Sequence, residues 1–355
     1  MKIKKIRELL REEGLEGIWL KNNINFSWIF NGRGWISISN EKASGSLLIT
    51  KNDIYFITNN IEEKRLINEE ITKDFELKII SHMWYEKDID IVKDIVSLDK
   101  LGTDINIGNN IEEQIKLIRM EFEDIERYKN DGKTVMEIFE STLLNITPKM
   151  TELEVAGNVY RDLQKEGFTS YVILVFSDNS RKEYRHNLPR RIKIGDKGFV
   201  SICTTNGGPI ISLTRAFSFS NDIDYIKQHE LNAKLEAMII NETKPGKTMS
   251  YMFKKIKELY TKLGYEKEFY MHHQGGIIGY NTRESLALPN NEIIIKDKMA
   301  FCWNPTITGT KSEDTFILNN EKIEFISWNE NSMWPKLKFN IDNNVIYRPG
   351  VMILD

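Results

Sequence analysis

Two cysteines in 355 residues leave no room for a disulfide framework, and neither Cys203 nor Cys302 sits at a metal-ligand spacing. Both read as reduced, buried, small hydrophobes. An excess of one charge is missing too: 49 basic against 52 acidic residues, net −3, argue against a dedicated nucleic-acid binder. No apolar run approaches the ~20 residues a bilayer span needs. The opening Met1–Gly14 stretch is an amphipathic charged helix rather than a signal peptide, so a soluble, cytoplasmic protein without a membrane partner is expected. No internal repeat or low-complexity segment stands out. What is present is ample apolar material, 41% of the chain, enough for two domains of ordinary size.

The first domain is expected over residues 1–117. Ile3, Ile6, Leu9 and Leu10 share a helical face that Gly14 ends. Short strands follow at 17–20, 46–50 and 54–58, the last two joined by a Lys51-Asn52-Asp53 turn, with helices at 61–71 and 87–98 around a strand at 77–80. Residues 111–146 are charged and helical in period, interrupted at Gly132. They carry the chain into a second domain, 118–355. There Thr151-x-x-Glu154 is a capping box opening a helix that Gly167 ends. Strands are expected at 171–176, 198–204 and 210–219, the last two turned by Asn206-Gly207-Gly208. Two helices separated by Lys244-Pro245-Gly246 come next, then strands at 299–303, 315–318 and 323–326. Antiparallel hairpins around a helix pair predict an α+β fold rather than a doubly wound parallel sheet.

Four clusters of the second domain hold the residues suited to chemistry. The first is Tyr184-Arg185-His186-Asn187-Leu188-Pro189, just before Gly195-Asp196. The second is the hairpin from Ser201 to Ser212-Leu213-Thr214-Arg215. The third runs from His272-His273-Gln274-Gly275-Gly276 to Arg283-Glu284. The fourth is Trp303-Asn304-Pro305 with Gly309-Thr310-Lys311-Ser312-Glu313-Asp314-Thr315. Imidazole titrates near neutrality and moves protons both ways, so the histidines of these clusters suit general acid/base work. No nucleophile elbow accompanies Ser201 or Ser212. Arg215 and Arg283 suit either a carboxylate clamp or structural ion pairs. Of the adjacent His272 and His273, at least one is expected to be a plain surface or core group.

In this order and spacing the clusters resemble the pita-bread peptidase family: methionine aminopeptidase, Xaa-Pro aminopeptidase, prolidase and creatinase. The first domain resembles the N-terminal domain of creatinase and the proline peptidases. The resemblance implies a creatinase-like α/β domain followed by a pita-bread domain, a curved antiparallel sheet flanked by helices, with the active site in its concave face. It also implies a homodimer. The family holds two divalent metals on two Asp, one His and two Glu. Position by position, Ser201 and Ser212 stand where the two Asp would be, Asn304 where the first Glu would be, and Glu313 retains the last. The imidazole position falls on Gly276 without a gap, or on His273 with a three-residue insertion.

Two dications need several carboxylates, and one Glu with one imidazole is too little. No metal or other cofactor is therefore expected, beyond a single weak divalent site on Glu313 and His273. The family's proton-shuttling imidazole matches His186, and creatinase works with it and no metal. The resemblance thus implies a metal-independent, creatinase-like hydrolase of a C–N bond in an amino-acid- or guanidine-like molecule or short peptide. In that reading His186, Glu313 and Glu284 are catalytic, and Ser201, Ser212, His273, Arg283 and Asn304 bind substrate. Two other readings are a metal-dependent Xaa-Pro peptidase and a pita-bread protein that binds a peptide or partner without catalysis.

Overall fold

The structure is a computed structural model that describes residues 1–72 and 75–355. Contacts divide the chain into two compact units, residues 1–123 with 206–209, and residues 124–205 with 210–355.

In the first unit, β1 (Gly17–Asn22), β2 (Lys42–Thr50), β3 (Ile54–Asn59), β4 (Lys78–His82), β5 (Leu101–Thr103) and β6 (Asn109–Asn110) form one mixed sheet in the order β4-β3-β2-β1-β5-β6. The β2–β3 turn is the expected one, closed by the Thr50 N–H on the Asp53 carbonyl at 2.9 Å. Trp19, Leu48, Ile57 and Leu101, pointed to one face by strand alternation, pack as a core with Val92 and Val96 from the helix Asp88–Ile95 and its end.

The second unit is built on β7 (Thr169–Phe176), β8 (Lys197–Thr205), β9 (Ile211–Ser218), β10 (Gly275–Ile278), β11 (Ser285–Leu286) and β12 (Ala300–Trp303). To these are added β13 (Thr306–Ile307), β14 (Thr310–Lys311), β15 (Asp314–Asn319), β16 (Lys322–Phe325), β17 (Lys336–Ile341), β18 (Asn344–Pro349) and β19 (Val351–Ile353). The main sheet runs β11-β10-β12-β15-β9-β8-β7, with β16 on β15 and β19 parallel to β9. Every other pairing in it is antiparallel. The helix Glu152–Lys165 opens with both halves of the capping box in place, and Gly167 follows its end at φ +80°. No helix among the described residues is long and apolar enough to cross a membrane.

Several elements depart from the expectations, β10 among them, since Gly275–Ile278 was not read as a strand. Gly132 does not break its helix, which runs unbroken over Ile125–Leu143. A Cβ there would lie 2.1 Å from the Ile326 carbonyl oxygen, so the glycine serves close packing. Beyond Ile326, where no strands were expected, the chain forms the β17–β18 hairpin and β19.

Arg348 of that hairpin enters a wholly buried charge network. Its guanidinium donates to Glu236 at 2.8 and 2.9 Å and to Asp314 at 2.6 Å. Arg215 donates to the same Asp314 at 3.1 Å and to Glu140 at 2.6 Å. Arg215 is therefore one of the structural ion pairs, since all five groups are sealed from solvent.

Candidate active site

Extended backbone sets the floor of the site. Ser201 pairs with Thr214 across β8 and β9, and the Thr214 N–H donates to the Glu313 carbonyl at 2.9 Å, so Ser201, Thr214 and Glu313 form one row across the sheet. Glu313 ends that row. Its Oε1 accepts from Ser212 Oγ at 3.1 Å, Arg283 at 3.0 Å and Cys302 Sγ at 3.3 Å. Its Oε2 accepts from Thr214 Oγ1 at 2.9 Å and Lys311 Nζ at 2.7 Å. Burial alone would raise the carboxyl's pKa, but Lys311 and then Arg283 outweigh it and hold Glu313 ionised, well below the usual carboxylate range.

Above this floor lies a cavity of about 530 Å³. Its apolar lining comes from Val172, Ile173 and Leu174 of β7 together with Leu188 and Ile202. Its polar lining includes Ser201, Asn304, Arg283, Lys311 and Glu313, with Ser201 the cross-strand partner of Leu174. His186 and His273 also line the cavity. His272 joins them, its Nε2 3.0 Å from His186 Nε2, and the three imidazoles present ring nitrogens within 4.8 Å of one another. Burial first, then Lys311, lowers the pKa of His186. Burial and Lys311 push His272 down to about 2, while burial and Arg283 push His273 down to about 4. All three are neutral at pH 7. Gly275 N–H donates to His273 Nδ1 at 3.3 Å, which leaves the ring proton on Nε2.

Of the residues expected to form the site, His186, Ser201, His273, Arg283, Asn304 and Glu313 all line this one cavity. Ser212 does not line it; it lies beneath Glu313, fully buried, where it can hydrogen-bond the carboxylate but not a substrate. Glu284 does not line it either. Its Oε1 accepts from the Tyr280 and Asn281 N–H groups at 3.0 and 3.2 Å, which shapes the loop that delivers Arg283. Cys203 bonds to Ser212 at 3.2 Å, and burial raises both thiol pKa values, so neither cysteine is an activated thiolate.

Lys311, which lines the cavity, and His272, which meets His186 at its edge, lay outside the expected set. Lys311 was missed although it stands only two residues before Glu313, with which it forms the 2.7 Å ion pair. His272 was discounted as one of an adjacent pair, yet both imidazoles turn towards His186.

The donor set does not fit a pair of divalent ions. Ser201, Ser212 and Asn304 offer neutral oxygens. A carboxylate has about four lone-pair directions, and five donors already meet Glu313. The weak site considered on Glu313 and His273 fails for the same reason. The three imidazoles alone have ligand spacing among the described residues, and Lys311 and Arg283 set a positive field against a cation there.

The family model for metallopeptidase family M24 matches residues 126–326. No curated protein matches the chain in sequence. Solved structures with the same fold include the prolidase from Pyrococcus horikoshii OT3, at 16% identity and TM-score 0.75, covering 93% of this chain and 98% of that one. The Xaa-Pro dipeptidase from Bacillus anthracis is similar at 21% identity and TM-score 0.74, over 92% and 97%. The N-terminal domain of the FACT complex subunit SPT16 from Cicer arietinum (chickpea) is similar at 13% identity and TM-score 0.66, over 94% and 96%.

Proposed function

This chain belongs to metallopeptidase family M24 and has its pita-bread fold, and from that premise we propose that it hydrolyses a C–N bond in a short peptide, using imidazoles in place of two metal ions. The prolidase and Xaa-Pro dipeptidase neighbours favour a peptide over the creatinase-like, guanidine-type substrate. Physical chemistry agrees, because a cationic guanidinium would meet Arg283 and Lys311 in the cavity.

The observation that carries the reading is the meeting of His186, His272 and His273 at a cavity whose last family carboxylate, Glu313, is already saturated. His186 takes a proton from water as the water oxygen bonds to the peptide carbonyl carbon. His273 donates from Nε2 to the oxygen that gains charge, as a neutral imidazole can. The C–N bond then breaks, and His186 returns the proton to the leaving nitrogen. His272, hydrogen-bonded to His186, orients that ring and shares its proton. Glu313 does no proton transfer; it fixes Arg283 and Lys311.

The test is a panel of dipeptides and tripeptides with the purified protein before and after exhaustive chelation. Turnover that survives chelation and falls at least about 100-fold in His186→Ala is expected, the usual scale of general acid–base catalysis. The family match favours a second reading, a metal-dependent Xaa-Pro peptidase. About two Mn²⁺ or Zn²⁺ ions retained per chain, with activity lost on chelation, would establish that reading instead. Peptide binding without turnover on any member of the panel would replace both with a binding role.

A further inference from the structure

The cavity carries more positive charge than its own chemistry uses. Lys311 and Arg283 bring two cations to the lining and Glu313 one anion, a balance of 2 − 1 = +1, and no other carboxylate is among the lining side chains. Lys311 is 5% exposed, and among the described residues Glu313 is its one partner, so two of its three N–H donors are uncommitted. Arg283 commits one donor to the Thr282 carbonyl at 2.6 Å and one to Glu313 at 3.0 Å. Its Nε is buried with no partner, as is Oδ1 of the neighbouring Asn304. Cations held this far from water are tolerated when something offsets them, and Glu313 offsets only half.

We propose that the floor of the cavity is an anion site, in which Lys311 and Arg283 grip the carboxylate of an apolar acid. This inverts the polarity of the region where the family resemblance assigns metal ligands: a ligand anion, not a metal cation, completes its charge. Val172 and Leu174, which share the sheet face of Ser201 and Cys203, and Leu188 take the ligand's hydrocarbon body, and the two cations hold its carboxylate. The inference rests on the peptide reading for its substrate class, since a short peptide with a free C terminus and an apolar side chain has both parts. The site itself does not depend on turnover.

Isothermal titration of the full chain with paired probes tests this. The pairs are Leu-Leu against Leu-Leu amide, and N-acetyl-leucine against its amide, each in 20 mM and 300 mM NaCl. Each free acid is expected to bind at least tenfold more tightly than its amide, with the preference shrinking in high salt. Lys311→Gln is expected to abolish the preference and Lys311→Arg to keep it. Equal binding of acid and amide to the unaltered protein would overturn the anion site, whether or not the variants fold. Selection of sodium chloride over both acids would also overturn it, as a generic halide site. Hydrolysis is followed separately on the same peptides. Acid-selective binding without turnover removes the hydrolase reading and keeps this one, and turnover of acid and amide alike does the reverse.

Discussion

Lys311 Nζ lies 2.7 Å from one oxygen of Glu313, and Arg283 lies 3.0 Å from the other. The carboxylate is 2% exposed and is the shared counter-charge of both cations. Removing it leaves two cations with nothing to offset them, and breaking a buried pair costs about 3–5 kcal/mol. Glu313→Gln keeps the shape and loses the charge. Its urea midpoint should fall by an amount equivalent to that range at an unchanged m-value. A loss under about 1 kcal/mol would mean that solvent already screens Lys311 and Arg283.

Gly132→Ala sets two effects against each other. Alanine is the better helix former by up to about 1 kcal/mol. The added methyl, however, would lie 2.1 Å from the Ile326 carbonyl oxygen and 2.6 Å from Ile326 Cγ2. Overpacking of a rigid core costs about 1–3 kcal/mol, and a backbone carbonyl yields less readily than a side-chain tip. Net destabilisation is expected in a denaturant titration. A more stable variant would show that Ile326 moves freely away from the helix.

The pH dependence of stability should carry a mark of His229. This residue is buried in the helix Ile223–Glu242, with Nε2 3.1 Å from the Pro349 carbonyl. Burial pushes its pKa from 6.5 down to about 4, against the support of that carbonyl. Below pH 6.5 the unfolded chain takes up a proton that the folded chain declines until about pH 4. Stability is therefore full above pH 6.5 and falls as the solution is acidified, by about 3 kcal/mol once pH 4 is passed. Urea midpoints at steps from pH 7.5 to 4.5 should fall less in His229→Gln than in the parent. Parallel curves for the two proteins would assign the acid sensitivity to other groups.

Much of the architecture was legible because its causes are local. The capping box at Thr151, the turn at Lys51-Asn52-Asp53 and the apolar, β-branched runs of β7, β8 and β9 depend on neighbours a few residues away. Gly132 was misread because its reason, the Ile326 carbonyl, lies 194 residues further along the chain. The candidate site divides in the same way. His186 and Glu313 stand out by residue type and position in a motif. Ser212 and Glu284 could not be told from cavity residues, since each is set apart only by which way one strand or loop turns. Lys311 was missed for an electrostatic reason: its importance comes from a single carboxylate shared with Arg283, and a charge balance is not a motif.

Arg348 provides a long-range test of what holds the site in place. It arrives on β18, outside the region matched by the family model, and donates to Glu236 and to Asp314, the residue next to Glu313. Burial raises the pKa of Glu236 to about 7, and the Arg348 guanidinium restrains that rise. Without Arg348, Glu236 is driven further towards its protonated form. Among the described residues Asp314 then keeps only Arg215 as a charged partner, at 3.1 Å. Arg348→Met fills much of the same volume without charge, so its effect isolates the electrostatic loss, about 3–5 kcal/mol for a broken buried pair. The β17–β18 hairpin should also loosen, because Arg348 is its charged anchor to the helix Ile223–Glu242. Hydrogen exchange should therefore speed up first in residues 336–349 and next in 311–315. Faster exchange in 336–349 with 311–315 unchanged would show that β15 is held by its sheet neighbours alone, and that the charge network secures only the hairpin.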